Sequence, residues 1–169
     1  MDFKEEIYLI IKELENNGRY AENKNYCQHG NTTVYKHCVN VTLTSCKMVK
    51  YFKWQINKES LIRGALLHDY FLYDWHDKDS SHRLHGFHHP KRALENAKKD
   101  FCLNEIEENI ILRHMFPLTL IPPSTKEAWI VCIADKWCAI VEILSAIKSK
   151  VKGTKKNVNR IMCSKFFSV

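Results

Sequence analysis

The chain has 169 residues, of which 45% are hydrophobic and 27% charged, with only five glycines and four prolines. These values are typical of one ordinary globular domain, and they exclude a disordered chain or a loop-rich all-β design. The sequence lacks both the roughly 18 uncharged apolar residues of a membrane span and the pattern of a secretory signal. A cytoplasmic location without a membrane partner is therefore expected.

The net charge of +7 belongs to the C-terminal segment. Seven basic residues and no acidic one occur from Lys148 onward, whereas the preceding part has equal numbers of both. We therefore expect a domain over residues 1–147 and a basic tail over residues 148–169. The tail could contact nucleic acid, but its apolar residues also suit a terminal helix packed on the domain, and packing is the preferred interpretation.

Apolar residues at helical spacing predict an all-α, single-domain bundle of about six or seven helices. The first helix is predicted over residues 3–16. A second helix begins at a cap formed by Thr32 or Thr33, and its apolar side includes His37. This histidine is therefore expected to face inward.

A third helix is predicted after the cap residue Asn57, and it leads directly into the adjacent pair His68 and Asp69. The stretch from Tyr70 to His89 is rich in aromatic residues and histidines without a clear period. It is predicted to be a long irregular loop of the kind that often serves function. Its aromatic side chains could stack on a base or close the core, and the core is the preferred interpretation.

Two shorter helices are predicted next. Pro90 fits the first position of a helix that runs to about residue 99. Asn104 and Glu107 match a capping box at the start of another helix, which carries His114 at its inward end.

The last predicted helix begins at Ser124, which forms a second capping-box pattern with Glu127, and runs to about residue 147. Asp135 lies in its middle, inside an apolar stretch. An unpaired carboxylate is costly to bury, so a partner must compensate its charge. A structural ion pair would be sufficient for this residue alone.

Four residues follow one another in a specific order: His37, then the pair His68 and Asp69, then Asp135, each on or at the end of a predicted helix. This set resembles the HD-domain superfamily of metal-dependent phosphohydrolases over about residues 26–145. Two local strings carry the resemblance, RGALLHD at 63–69 and VCIADK at 131–136. A lone His-Asp dipeptide would mean little, so the ordered set is the observation that matters.

The resemblance implies a divalent transition metal such as iron, manganese or zinc, bound as one or two ions. His37, His68, Asp69 and Asp135 would bind a first ion. In two-metal members, histidines at the places of His89 and His114 bind a second ion, and the central aspartate bridges both. The sequence favours two ions, with His68 and Asp69 as the catalytic residues.

The expected reaction is hydrolysis of a small phosphorylated compound, which could be a nucleotide, by metal-activated water. Substrate contacts are predicted at His29, Arg83 and Lys136, although a surface role is also compatible with each of them. The residues after Asp69 lack the glycine and lysine of the cyclic-dinucleotide phosphodiesterase branch, so that substrate is not expected.

Two other functions stay open at this point. Di-iron oxygenases of the same superfamily share the arrangement of six ligands, which therefore does not separate the two reactions. A non-catalytic module that binds a metal or a nucleotide for regulation is the third possibility, and the basic tail is its best feature. Nucleic acid is a possible partner but not the favoured one.

Overall fold

The computed structural model describes residues 2–29, 32–75 and 85–166, except for the side chains of His29 and of residues 150–166. The helices in these ranges are α1 (Phe3–Asn17), α2 (Val34–Phe52), α3 (Lys58–Leu67), α4 (His85–Asp100), α5 (Glu105–Arg113) and α6 (Lys126–Phe166). A 3-10 helix (Tyr20–Lys24) and an antiparallel pair of short strands, β1 (Cys27–His29) and β2 (Thr32–Thr33), connect α1 to α2. The predicted all-α bundle is confirmed.

Local capping signals set the start of three helices. The Thr33 hydroxyl accepts a hydrogen bond in the first turn of α2, and the Asn57 side chain does the same in α3. Asn104 and Glu107 form the complete capping box of α5. Each bond satisfies a backbone N–H that has no partner within its helix. These three predicted caps are confirmed.

The predicted capping box of α6 is wrong by one residue. The Thr125 hydroxyl, rather than Ser124, accepts the hydrogen bond from the Ala128 N–H. Glu127 is used elsewhere, because its Oε1 accepts from the Asn57 N–H at 2.8 Å. A tertiary contact between the starts of α3 and α6 has replaced the local one.

The predicted loop between α3 and α4 is partly wrong. Residues 70–75 are irregular as expected, but α4 begins at His85, five residues before Pro90, which therefore lies inside the helix. Tyr70 and Phe71 are buried in the core, as the preferred interpretation had it. The remaining loop residues, 76–84, lie outside the described part of the chain.

Helix α6 also continues past its predicted end at residue 147, and it reaches Phe166 without a break. The basic tail is thus helical over most of its length. The predicted packing of this tail on the domain involves the side chains of residues 150–166, which lie outside the described part of the structure. In the described part of the chain, no helix combines the length and the apolarity of a membrane span.

Helix α3 occupies the centre of the fold, and every residue from Ser60 to Leu67 is buried. It packs against α2 on one side and α5 on the other, and α6 covers α2 and α5. Because α3 is enclosed in this way, its C-terminal end delivers His68 and Asp69 to the interior, where the other helices can reach them.

Gly64 allows the close approach of α3 and α5. A Cβ atom at this position would lie 2.5 Å from Cδ1 and 3.0 Å from Cβ of Ile110. We expect Gly64→Ala to lower the free energy of unfolding by about 1–3 kcal/mol, because overpacking outweighs the gain in helix propensity. Denaturant unfolding monitored by circular dichroism measures this change.

The matched test is the pair of Gly64→Ala with Ile110→Val, which removes the nearest atom, Cδ1. If steric overlap causes the loss of stability in Gly64→Ala, the double variant should be more stable than the sum of the two single losses in unfolding free energy predicts. Strictly additive losses would contradict this explanation of the glycine.

Candidate metal centre

Five helices direct the six predicted ligands to one interior point. His37 comes from α2, and His68 and Asp69 follow the last residue of α3. The other three are His89 on α4, His114 directly after α5, and Asp135 on α6. All six are buried, and the most exposed of them, Asp135, is only 8% exposed. Burial removes these ionisable side chains from water, so interactions within the site must compensate the hydration free energy that they lose.

The first cluster consists of His37, His68, Asp135 and one oxygen of Asp69. The Oδ1 atom of Asp135 lies 3.0 Å from His37 Nε2 and 3.7 Å from His68 Nε2. The Oδ2 atom of Asp69 lies 3.2 Å from the same His68 nitrogen. The ligand atoms of His37, His68 and Asp135 all lie within 4.8 Å of one another, which is compact enough to surround one metal ion.

The second cluster surrounds the other oxygen of Asp69. Oδ1 lies 3.1 Å from His89 Nε2 and 3.4 Å from His114 Nε2, and these two nitrogens are 2.8 Å apart. His68, Asp69 and His114 also offer ligand atoms within 4.8 Å of one another. The two oxygens of Asp69 thus face two different clusters, which is the geometry of a bridging carboxylate.

The Nδ1 atoms of the four histidines are all engaged away from the site. Those of His68, His89 and His114 contact the backbone carbonyls of Ala65, His85 and Ile111 at 2.8, 3.0 and 2.8 Å. A carbonyl can only accept, so these Nδ1 atoms carry protons, and each neutral ring has its lone pair on Nε2. Metal-binding histidines are commonly held in this way by their second nitrogen.

The donor set fits a metal ion. The Nε2 atom of His68 and the Oδ1 atom of Asp69 are buried, and neither has a hydrogen-bond partner among the described residues. Imidazole lone pairs that face carboxylate oxygens repel them unless positive charge lies between. A divalent cation supplies that charge and gives both orphaned atoms a partner.

The pKa shifts indicate the same charge balance. Burial alone would lower the pKa of His37, but hydrogen bonds to Asp135 and Glu142 prevail and raise it to about 10. Burial would raise the pKa of Asp135, yet His37 and His68 hold it well below its usual range. Burial would also raise the pKa of Asp69, but the neighbouring His68 prevails and lowers it. The site therefore keeps both carboxylates ionised and attracts positive charge, which either protons or a metal ion can provide.

Two residues that contact the ligands were not predicted. Glu142 Oε2 lies 3.0 Å from His37 Nδ1, while its Oε1 accepts from the Asn40 amide at 3.1 Å. Gln28 donates from Nε2 to Asp69 Oδ2 at 2.6 Å. Glu142 could have been found, because it lies two helical turns after Asp135 on the same face of α6. The sequence has no comparable signal for Gln28.

A cavity of about 870 Å³ opens onto the two clusters. Its lining includes Asp69, Asp135 and the two histidines of the second cluster, together with the apolar side chains of Trp75, Met115 and Leu118. Trp75 packs against the core, as the preferred interpretation had it, and it also lines the cavity. The lining therefore combines groups that could hold a metal ion with apolar side chains.

The predicted substrate residues have different outcomes. Lys136 lines the cavity, but its Nζ donates to the carbonyls of His114 at 2.6 Å and Cys132 at 3.3 Å. It therefore also holds the backbone of a ligand residue. The side chain of His29 and all of Arg83 lie outside the described residues. His88 is exposed and its neighbour His89 is buried, so the structure places His89 in the cluster.

The fold and the site define a helical domain with a buried cluster of histidines and aspartates between its helices. The family model of the HD domain matches residues 34–140, which is more than half of the chain. The chain therefore belongs to the HD-domain family, whose members are in general metal-dependent phosphohydrolases. No curated protein and no solved structure shows a significant match.

Proposed function

We propose that this chain is a metal-dependent phosphohydrolase that acts on a small phosphorylated compound. One observation carries the proposal: two clusters of buried ligand atoms share Asp69, and this aspartate lines a cavity large enough for a small molecule. A purely structural cluster would have no need of a cavity beside it. Ligand sites in enzymes typically combine such a concave, mostly apolar wall with a few converging polar groups.

The proposed ligands of the first ion are His37, His68, Asp69 and Asp135, and those of the second are His89 and His114 together with the shared Asp69. Iron, manganese and zinc all suit imidazole and carboxylate ligands. Ions bound there supply Lewis-acid chemistry, because they make water nucleophilic at neutral pH and offset the negative charge of a phosphoryl group. His68 and Asp69 remain the proposed catalytic pair.

The surrounding residues keep this site in one arrangement. The backbone carbonyls that contact Nδ1 of His68 and His114 fix the direction of each Nε2 lone pair. The amide of Gln28 restricts rotation of the Asp69 carboxylate by binding one of its oxygens. Lys136 ties the chain at His114 to α6. These contacts form the site before substrate arrives, so that little reorganisation is needed during the reaction.

The cavity favours a substrate with one phosphoryl group and an apolar or flat remainder. Among the described lining residues, Lys136 is the only lysine or arginine. This lysine and the proposed ions together are sufficient to offset the charge of one phosphoryl group. The apolar side chains of Trp75 and Leu118 in the lining suit a base or another flat group, so a nucleoside monophosphate is one suitable substrate.

Phosphate release from a panel of phosphomonoesters tests this proposal. Protein loaded with manganese, iron or zinc should release phosphate, and the chelator-treated protein should not. Iron content and oxygen consumption are measured on the same samples. Fully metal-loaded protein that consumes oxygen with a substrate but releases no phosphate would identify an oxygenase. Protein that does neither but binds a nucleotide tightly would be a regulatory module.

We also propose that residues 1–147 form the catalytic unit and that residues 148–169 are dispensable for chemistry. All six proposed ligands precede residue 148, and Glu142 is the last residue found in contact with one of them in the described part of the chain. The continuous helix α6 places the basic segment beyond the ligand-bearing turns.

A further inference from the structure

Helix α6 has two different faces. The inner face packs on α2 and α5, and it includes the buried residues Val131, Ala134 and Cys138 together with Asp135. The opposite face carries six large apolar side chains, each between 40% and 62% exposed. We call these residues the outer stripe: Trp129, Ile133, Trp137, Ile140, Leu144 and Ile147.

The outer stripe has the spacing of a helix–helix contact. From Ile133 to Ile147 the steps are four, three, four and three residues, which is the heptad pattern of a seam between two helices. A helix that packs only on its own domain normally presents polar residues on its outer face. This pattern therefore indicates a second helix against the outer stripe.

The exposed apolar area is large enough for a stable interface. Val141 and Ile143 flank the outer stripe, and they are 44% and 45% exposed. Eight side chains about half exposed, with about 200 Å² each when fully exposed, present on the order of 800 Å². One partner in a standard protein–protein interface contributes about 800 Å².

We propose that the outer stripe is the interface of a homodimer in which two copies of α6 pack antiparallel about a twofold axis near residue 138. The charge of the chain selects this direction. A parallel pair would place two segments that are purely basic from Lys148 onward side by side, where they repel. The antiparallel pair sends them to opposite ends and brings Trp137 against Ile140 of the partner subunit.

The dimer does not depend on the proposed hydrolase activity. Asp135 and Glu142 point to the inner side of α6, towards His37 on α2. Pairing through the outer stripe therefore leaves the metal clusters within each subunit. Each subunit keeps a complete set of proposed ligands.

Sedimentation equilibrium of the full chain tests the dimer. The parent protein should have twice the chain mass of 20.0 kDa. Trp137→Glu and Ile140→Glu should each reduce it to the mass of one chain, because a carboxylate would be buried in the seam. The control Tyr51→Glu changes a side chain on α2 that is 81% exposed, and this variant should stay dimeric. Circular dichroism melting verifies that each variant is folded.

Spin labels then test the direction. Ser149 is exposed, and a label on Ser149→Cys, in a variant with serine at Cys27, Cys102 and Cys163, marks one point on each α6. At about 1.5 Å per residue from the axis, the two labels should be more than about 30 Å apart, against less than about 20 Å in a parallel pair. A short distance would overturn the antiparallel arrangement.

Two results would overturn the homodimer itself. One is a parent protein with the mass of a single chain at about 0.1 mM, where even weak dimers form. The other is a dimer that persists in both glutamate variants, because its interface would then lie elsewhere.

Discussion

Replacing Asp69 by alanine is expected to remove metal from both clusters and to abolish phosphate release. Its Oδ2 lies 3.2 Å from His68 Nε2 in the first cluster, and its Oδ1 lies 3.1 Å from His89 Nε2 in the second. Each of the four histidines faces the site with one atom, Nε2, so no histidine offers a separate ligand atom to each cluster. We expect the metal-to-protein ratio, measured by elemental analysis, to fall close to zero and kcat/KM to drop at least about 10³-fold.

Glu142→Gln is the graded comparison for this variant. Glu142 Oε2 lies 3.0 Å from Nδ1 of His37, the nitrogen that faces away from the cluster. Loss of its charge should weaken metal affinity about 10- to 100-fold and leave the ratio intact at saturating metal. An Asp69→Ala protein that is folded and keeps its full metal complement would remove Asp69 from the site and contradict the bridging assignment.

The parts of the fold that the sequence predicts well are those with local causes. The caps at Thr33, Asn57 and Asn104 depend on hydrogen bonds between residues three apart, so the pattern and the structure agree. The inward face of His37 follows from apolar periodicity, and the burial of Asp135 follows from the apolar stretch around it. Their convergence on one point does not, because it requires that α2 and α6 pack against each other.

Features with non-local causes could not be predicted in this way. The first turns of α4 carry His85 and His89 on the side where apolar residues would normally lie, so no helical period was visible before Pro90. Gln28 reaches Asp69 across 41 positions of the chain. The segment from Ala128 to Ile147 is apolar on most sides, and only the packing of α2 and α5 shows which side is exposed.

His89→Ala and His114→Ala are each expected to lose one metal equivalent per chain and to keep the other. Their Nε2 atoms lie 3.1 and 3.4 Å from Asp69 Oδ1, and neither belongs to the set of His37, His68 and Asp135. The His37→Ala variant should instead impair the first cluster, because its Nε2 contacts Asp135 at 3.0 Å. Elemental analysis after dialysis against metal-free buffer gives the number of ions bound to each variant.

His88→Ala is the matched control for His89→Ala, because His88 is the adjacent residue on α4 and is exposed. It should hold as much metal as the parent protein and release phosphate at the parent rate. A parent protein with two ions, a His88 variant with two and a His89 variant with one would establish the second cluster as a metal site. If the His89 and His114 variants instead hold as much metal as the parent, one ion is bound in total. The two histidines would then face the cavity as substrate contacts rather than as ligands of a second ion.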